Sequence, residues 1–146
     1  MQKITTFLWF NTQAEEAANF YVSIFKNSKV LSVNPMTVTF QLEGQTFYAL
    51  NGGPQFTFTE AISLFVDCET QAEVDELWTK LTAAGGSESQ CGWLKDKYGL
   101  SWQIIPRALG RMLTDKDRAK ADRALQAMLK MKKIDIARLT AAFEGR

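Results

Sequence analysis

Histidine is absent from all 146 residues, and that absence excludes more than any other feature of the chain. Without an imidazole there is no Ser-His-Asp or Cys-His catalytic arrangement, and no metal site built on histidine. Cysteine is scarce: Cys68 and Cys91 are too few for a disulfide framework, and too few for the four N/S ligands of a structural zinc site. No apolar run approaches the ~20 residues of a membrane span. No basic n-region, apolar stretch and cleavage site opens the sequence. A reduced, cytoplasmic chain without a membrane segment is the expectation. Chemistry is left to carboxylates, amides, hydroxyls, a thiol or a bound reagent.

What is present is ordinary in bulk and uneven in distribution. Hydrophobic residues make up 46% and charged residues 23%, as in a soluble globular domain with a sizeable core. The net charge of +1 hides an asymmetry: residues 1–106 carry six Lys/Arg against eleven Asp/Glu, and residues 107–146 carry eleven against five. A basic tail suits nucleic acid, a membrane surface or an acidic partner. Here the basic residues alternate with Asp115, Asp117, Asp122 and Asp135, which is the pattern of a solvated amphipathic helix and argues against nucleic acid.

Ile4 to Phe10 reads as a strand ended by Asn11-Thr12. Thr12 with Glu15 has the spacing of a capping box. Ala17, Phe20, Tyr21 and Ile24 then give one apolar helix face. Val30 to Val33 is a short strand. Met36, Val38, Phe40 and Leu42 alternate with polar residues, and Glu43-Gly44 turns that strand into Gln45 to Asn51. After Gly52-Gly53-Pro54 the pattern restarts: a strand over Ala61 to Asp67, a second capping box at Thr70 and Glu73, and a helix with Val74, Leu77, Trp78 and Leu81 on one face. A short strand near Ser87 to Gln90 and a hairpin over Cys91 to Pro106 complete it.

Thr-Gln-Ala-Glu occurs at 12–15 and again at 70–73, and Gly44 and Gly99 hold matching turns, at offsets of 58 and 55 residues. The matching order of elements predicts two βαβββ units in tandem, module one over 1–53 and module two over 60–106. In the final hairpin Gly99 supplies a positive φ for a tight turn, and alternation puts Trp102, Ile104 and Pro106 on one face and Ser101, Gln103 and Ile105 on the other. That pattern fits a lined cleft and an ordinary half-buried strand equally. Residues 107–146 form a helical extension: Ala121, Ala124, Leu125, Met128 and Leu129 make one stripe, and Asp135 caps a last helix with Ile136, Leu139 and Phe143. Such a tail packs on the domain or on a dimer partner.

Phe7-Leu-Trp-Phe-Asn11, Glu15-Glu-Ala-Ala-Asn-Phe-Tyr21, Ala49-Leu-Asn-Gly-Gly-Pro-Gln-Phe56, Cys91-Gly-Trp93 and Asp96-x-x-Gly-Leu-Ser-Trp-Gln103 resemble the PhnB-like family, often labelled "3-demethylubiquinone-9 3-methyltransferase". That family belongs to the vicinal-oxygen-chelate (glyoxalase/bleomycin-resistance) superfamily. The similarity also takes in Met128-Leu-Lys-Met-Lys-Lys-Ile-Asp-Ile136. The resemblance implies an α+β fold in which paired βαβββ modules form a glyoxalase-like open barrel with external helices and a cleft, often in a homodimer. It implies a divalent metal as well, and the matching ligand positions fall near Thr6, Glu60 and Gln103. One carboxylate with a threonine and a neutral amide is a weak donor set for Mg²⁺ or Mn²⁺.

The methyltransferase label has no counterpart in the residues. Gly52-Gly53 follows a strand but leads into Pro54, not into the helix of a Rossmann-like S-adenosylmethionine site. The expectation is a glyoxalase-fold protein with a small-molecule cleft, either a metabolite or xenobiotic binder or a small-molecule enzyme. The alternatives are an oxygen-ligated divalent-metal lyase, isomerase or transferase, and a structural dimer with no ligand. The candidate ligand-binding residues are Trp9, Trp93 and Trp102 for stacking, Asn51 and Gln103 for orienting polar groups, and Cys91, whose thiol has no histidine to activate it. Glu60 and Gln103 are the candidate metal ligands. No catalytic residue is assigned.

Overall fold

The computed structural model describes residues 2–146. It divides into two compact units, Met1–Phe58 and Thr59–Arg146. Each contains a four-stranded sheet built from a βαβββ sequence of elements.

The first unit runs β1 (Thr6–Phe10), α1 (Ala14–Ile24), β2 (Lys29–Val33), β3 (Thr37–Leu42) and β4 (Gln45–Asn51). Its sheet order is β1-β4-β3-β2, with β1 parallel to β4 and the other pairs antiparallel. The alternation in β3 decides which face is core: Val38, Phe40 and Leu42 are buried, and the threonines and Gln41 between them are not. On α1, Ala14, Ala17 and Ala18 carry too little bulk to hold the helix off the sheet, and Tyr21 stacks on Phe40 with ring centroids 6.3 Å apart. Burying each large side chain here stabilises by roughly 1.5–3 kcal/mol. Between β3 and β4, Glu43 and Gly44 both have positive φ (50° and 80°), as a two-residue hairpin turn of the right twist requires.

The Thr12–Glu15 capping box does not form. Gln13 is the N-cap residue and its side chain makes no cap bond. Instead Ala14 N donates to Asn51 Oδ1 at 2.8 Å. The connection from β1 to α1 is short, and Asn51, in register with Phe10, is thereby carried to the helix start. A tertiary cap has replaced a local one.

The second unit runs β5 (Ser63–Cys68), α2 (Gln71–Thr82), β6 (Ser87–Glu88), β7 (Trp93–Lys95) and β8 (Ser101–Pro106), with sheet order β5-β8-β7-β6 and β5 parallel to β8. Here the local cap does form: Glu73 N donates to Thr70 Oγ1 at 3.1 Å, and Glu69 N donates to the Glu73 carboxylate at 2.8 Å. Val74, Leu77, Trp78 and Leu81 of α2 are buried, as are Leu94, Trp102, Ile104 and Pro106 on the sheet. The β7–β8 ladder continues through Asp96 N donating to Leu100 O (2.9 Å), so the connection is Lys97–Gly99, ending at Gly99 with φ 88°. β5 begins two residues later than the pattern suggested.

Three further helices follow within the second unit: α3 (Arg107–Leu113), α4 (Arg118–Met128) and α5 (Ile136–Phe143). Asp117 and Asp135 cap the last two. Ile105, Leu109, Met131, Ile134 and Leu139 form their shared core. Two backbone bonds latch this tail to the hairpin: Cys91 N donates to Met131 O and Gly92 N to Lys132 O, both at 2.8 Å. Gly92 has φ 85°, a conformation that favours glycine, and a Cβ there would press on Ile105 Cδ1 (2.6 Å) and Ile104 O (3.2 Å). Gln71 adds a third latch, donating to Ile134 O (2.9 Å) and accepting from Ile136 N (2.7 Å). Among the described residues no helix is long and apolar enough to cross a membrane.

Candidate functional site

Each sheet has one face buried under its helix and one face turned away. In the second unit the outward face is read directly from the strand register. Phe65, Gln103 and Trp93 lie side by side across β5, β8 and β7. Phe65 is 59% exposed, and Trp93 and Gln103 are half-buried. The Gln103 amide is held in place by donating to Ser63 Oγ at 2.9 Å, and its carbonyl oxygen is a further acceptor on the same side chain.

The next row is Ser63, Ser101 and Lys95. Lys95 Nζ reaches the Glu60 carboxylate at 2.7 Å, and that pair crosses over the start of β8. The hydrogen bond and charge of Lys95 hold the Glu60 carboxyl below the usual carboxylate range. Both side chains are well exposed, so the pair adds little stability. The Ser101 hydroxyl at this level is buried and has no hydrogen-bond partner.

At the opposite end, Asp67 and Ile105 are in register. Helix α3 closes over this end and leaves a groove of about 310 Å³ lined by Phe65, Asp67, Ile105, Arg107, Gly110 and Arg111, among others. Arg107 donates to Asp67 Oδ2 through Nε (3.1 Å) and Nη2 (2.9 Å). The outward face of the first unit is also aromatic: Phe7 and Tyr48 are in register, 5.6 Å apart edge to face, and 56% and 39% exposed.

The sequence candidates separate sharply on this map. Trp93 and Gln103 are brought together on one outward face. Trp102 is not on it: the ring is 2% exposed on the helix side, and Nε1 donates to Asp96 Oδ2 at 2.9 Å. Strand alternation forces this once Gln103 faces outward. Asn51 is committed to the fold, accepting from Ala14 N and donating to Pro35 O at 3.3 Å. Trp9 donates to Gly53 O at 2.9 Å, Gly52 lies against its ring, and Phe56 meets its edge at 4.9 Å. Its indole pins the Gly52-Gly53 loop. Cys91 serves through its backbone, with φ 59° and the latch to Met131.

Phe7, Tyr48 and Phe65 were missed, yet the two repeat offsets contain them. An offset of 58 carries Phe7 onto Phe65, and an offset of 55 carries Tyr48 onto Gln103. The structure pairs Phe7 with Tyr48 and Phe65 with Gln103 in register, so these four occupy equivalent places in the two modules. The same offsets do not relate Thr6 and Glu60 to Gln103. Thr6 shares the helix-side face of β1 with Leu8 and Phe10, and Glu60 lies outside β5, paired with Lys95. Neither the Phe7–Tyr48 pair nor the Phe65–Gln103 pair offers the set of oxygen ligands that a divalent cation takes. Among the described residues no three His, Cys, Asp or Glu side chains cluster as metal ligands.

Comparison with known proteins places this architecture. A family model described as 3-demethylubiquinone-9 3-methyltransferase matches residues 2–105. The chain belongs to that family. A 3-demethylubiquinone-9 3-methyltransferase-described PhnB protein from Bacillus cereus is 40% identical, with a TM-score of 0.68 over 72% of this chain and 99% of that one. A glyoxalase-related enzyme from Fulvimarina pelagi is 17% identical (TM-score 0.53, 74% and 91% covered). A fosfomycin resistance protein from Listeria monocytogenes, solved with Mn(II) and sulfate, is 16% identical (TM-score 0.54, 70% and 88% covered). These last two establish a shared glyoxalase-like fold. No curated protein matches. The family match stops at residue 105, so the likeness read at 128–136 has no support from it, and α3 to α5 lie beyond the matched span. Within the family's own span, Gly52-Gly53 leads into no helix, so the methyl-donor turn suggested by the family's description is missing from that connection.

Proposed function

We propose that this member of the family binds planar small molecules, metabolite or xenobiotic, on the outward face of its second sheet, without a metal ion. The observation that carries the reading is the row Phe65–Gln103–Trp93: two aromatic side chains flank an amide whose nitrogen is already fixed by Ser63. Aromatic surface supplies stacking area, and the tethered amide supplies one oriented acceptor, a combination that holds a planar ligand carrying an N–H or O–H donor. A small-molecule enzyme would have to work from the same face, and the donor chemistry there does not favour a metal-assisted one. A cytoplasmic homodimer belongs to the same reading, with the exposed Phe7 and Tyr48 rings as surface for a second copy.

Calorimetry with a panel of planar aromatic compounds, with and without Mn²⁺, tests this. Binding should be independent of the metal, and Phe65→Ala should weaken it by about 1 kcal/mol, roughly fivefold, with little change in melting temperature. Binding that requires Mn²⁺, or that survives Phe65→Ala unchanged, would sink the proposal.

A further inference from the structure

Helix α3 contains a glycine that the fold does not need. Gly110 lies inside the helix, and a Cβ built there would meet nothing within 4 Å. Glycine in a helix interior is less stable than alanine because more backbone freedom is lost on folding. Nothing in the packing requires this loss. What the missing side chain leaves clear is the wall of the groove of about 310 Å³ between α3 and the ends of β5 and β8.

The charges around that groove are unequal in their commitments. Asp67 is held by Arg107, and Arg107 also reaches Glu69 at 3.5 Å. Arg111, on the same helix, has no carboxylate or carbonyl partner for its guanidinium among the described residues. The floor is apolar, formed by Phe65 and Ile105. A planar cation lining the same groove as an exposed ring is complementary to an aromatic carboxylate: the ligand ring would lie on Phe65, and its two carboxylate oxygens would take parallel N–H bonds from the guanidinium. The volume is at the small end of ligand pockets, enough for a one- or two-ring acid.

We propose that this groove is an acid-binding subsite, taking the carboxylate of a small aromatic acid whose ring lies on Phe65. The inference rests on the reading of the Phe65 face as a ligand surface, and it names the class of ligand. It also gives the helical extension a part in recognition, since Gly110 and Arg111 lie outside the span shared with the family.

The test is calorimetric titration of the full chain with 2-naphthoate and with its uncharged counterpart 2-naphthamide. Naphthoate should bind about tenfold more tightly, and the difference should shrink as salt is raised. Arg111→Gln should remove the preference and leave naphthamide unaffected. Gly110→Leu should fill the groove and weaken naphthoate at least tenfold while the melting temperature holds or rises, which separates a blocked site from a damaged fold. Equal binding of acid and amide, or naphthoate binding indifferent to both substitutions, overturns the subsite. If the amide still binds in a Phe65-dependent way, the face survives and only the subsite falls. Failure of both compounds to bind removes the face and the subsite together.

Discussion

Trp102 Nε1 donates to Asp96 Oδ2 at 2.9 Å, and both residues are 2% exposed. The other carboxylate oxygen accepts from Tyr98 N (2.9 Å) and Leu100 N (3.1 Å). One buried side chain therefore closes the turn, and it fixes the indole that the following strand turns inward. Asp96→Ala removes the acceptor used by three donors, two of them buried, and should destabilise the chain by roughly 3 kcal/mol. Chemical denaturation reads the loss, and a change below ~0.5 kcal/mol would mean that the turn holds itself.

Asn51 and Thr12 make opposite predictions about the start of α1. Asn51→Ala removes the acceptor used by Ala14 N and should cost about 1 kcal/mol, whereas Thr12→Ala should be near neutral. Asn51→Asp keeps the acceptor but loses the donor to Pro35 O, and should restore part of the loss. A larger effect at Thr12 than at Asn51 would reinstate the local cap.

Cys68 is fully buried, and burial, helped by the Glu73 and Asp67 carboxylates, pushes its thiol up to about 12. An unfolded chain releases that proton near pH 8.5 to 9, so between there and pH 12 the unfolded state binds fewer protons than the folded one. The contribution is complete below pH 9 and is lost as pH rises, at up to ~1.4 kcal/mol per pH unit. Melting temperature should therefore fall more steeply from pH 8 to 10.5 in the native chain than in Cys68→Ala. Parallel curves would show that the thiol is not shielded.

Gln71 ties the tail to α2 through Ile134 and Ile136, beside the Lys133–Asp75 ion pair at 2.8 Å. Gln71→Ala should cost about 1–3 kcal/mol and speed amide exchange selectively in residues 131–139. Uniform loss of protection over the second unit would mean that the tail and sheet unfold as one.

Periodicity and turn chemistry determined much of this protein by themselves. The tandem βαβββ order, the Thr70 cap, the Asp135 cap and the Gly99 turn were all readable, because each depends on residues within a few positions of one another. The repeat offsets even contained the pairing of Phe7 with Phe65. Helix α3 left only a short trace: Leu109, Met112 and Leu113 stand at i, i+3 and i+4 and pack on the tail's core, but the helix is seven residues long and Gly110 interrupts it, too brief for periodicity to show.

What only tertiary structure decided was commitment. Asn51, Trp9, Cys91 and Trp102 have the chemistry of ligand contacts, but their hydrogen bonds go to Ala14, Gly53, Met131 and Asp96. Two of these partners, Ala14 and Gly53, lie some forty residues away, as does Met131 from Cys91, and local sequence contains no record of such distances. Strand alternation likewise says that Trp102 and Gln103 face opposite ways, but not which of them meets the helix. Packing of α2 against Trp102 settled that, and it turned Gln103, with Phe65 and Trp93 beside it, to the outside.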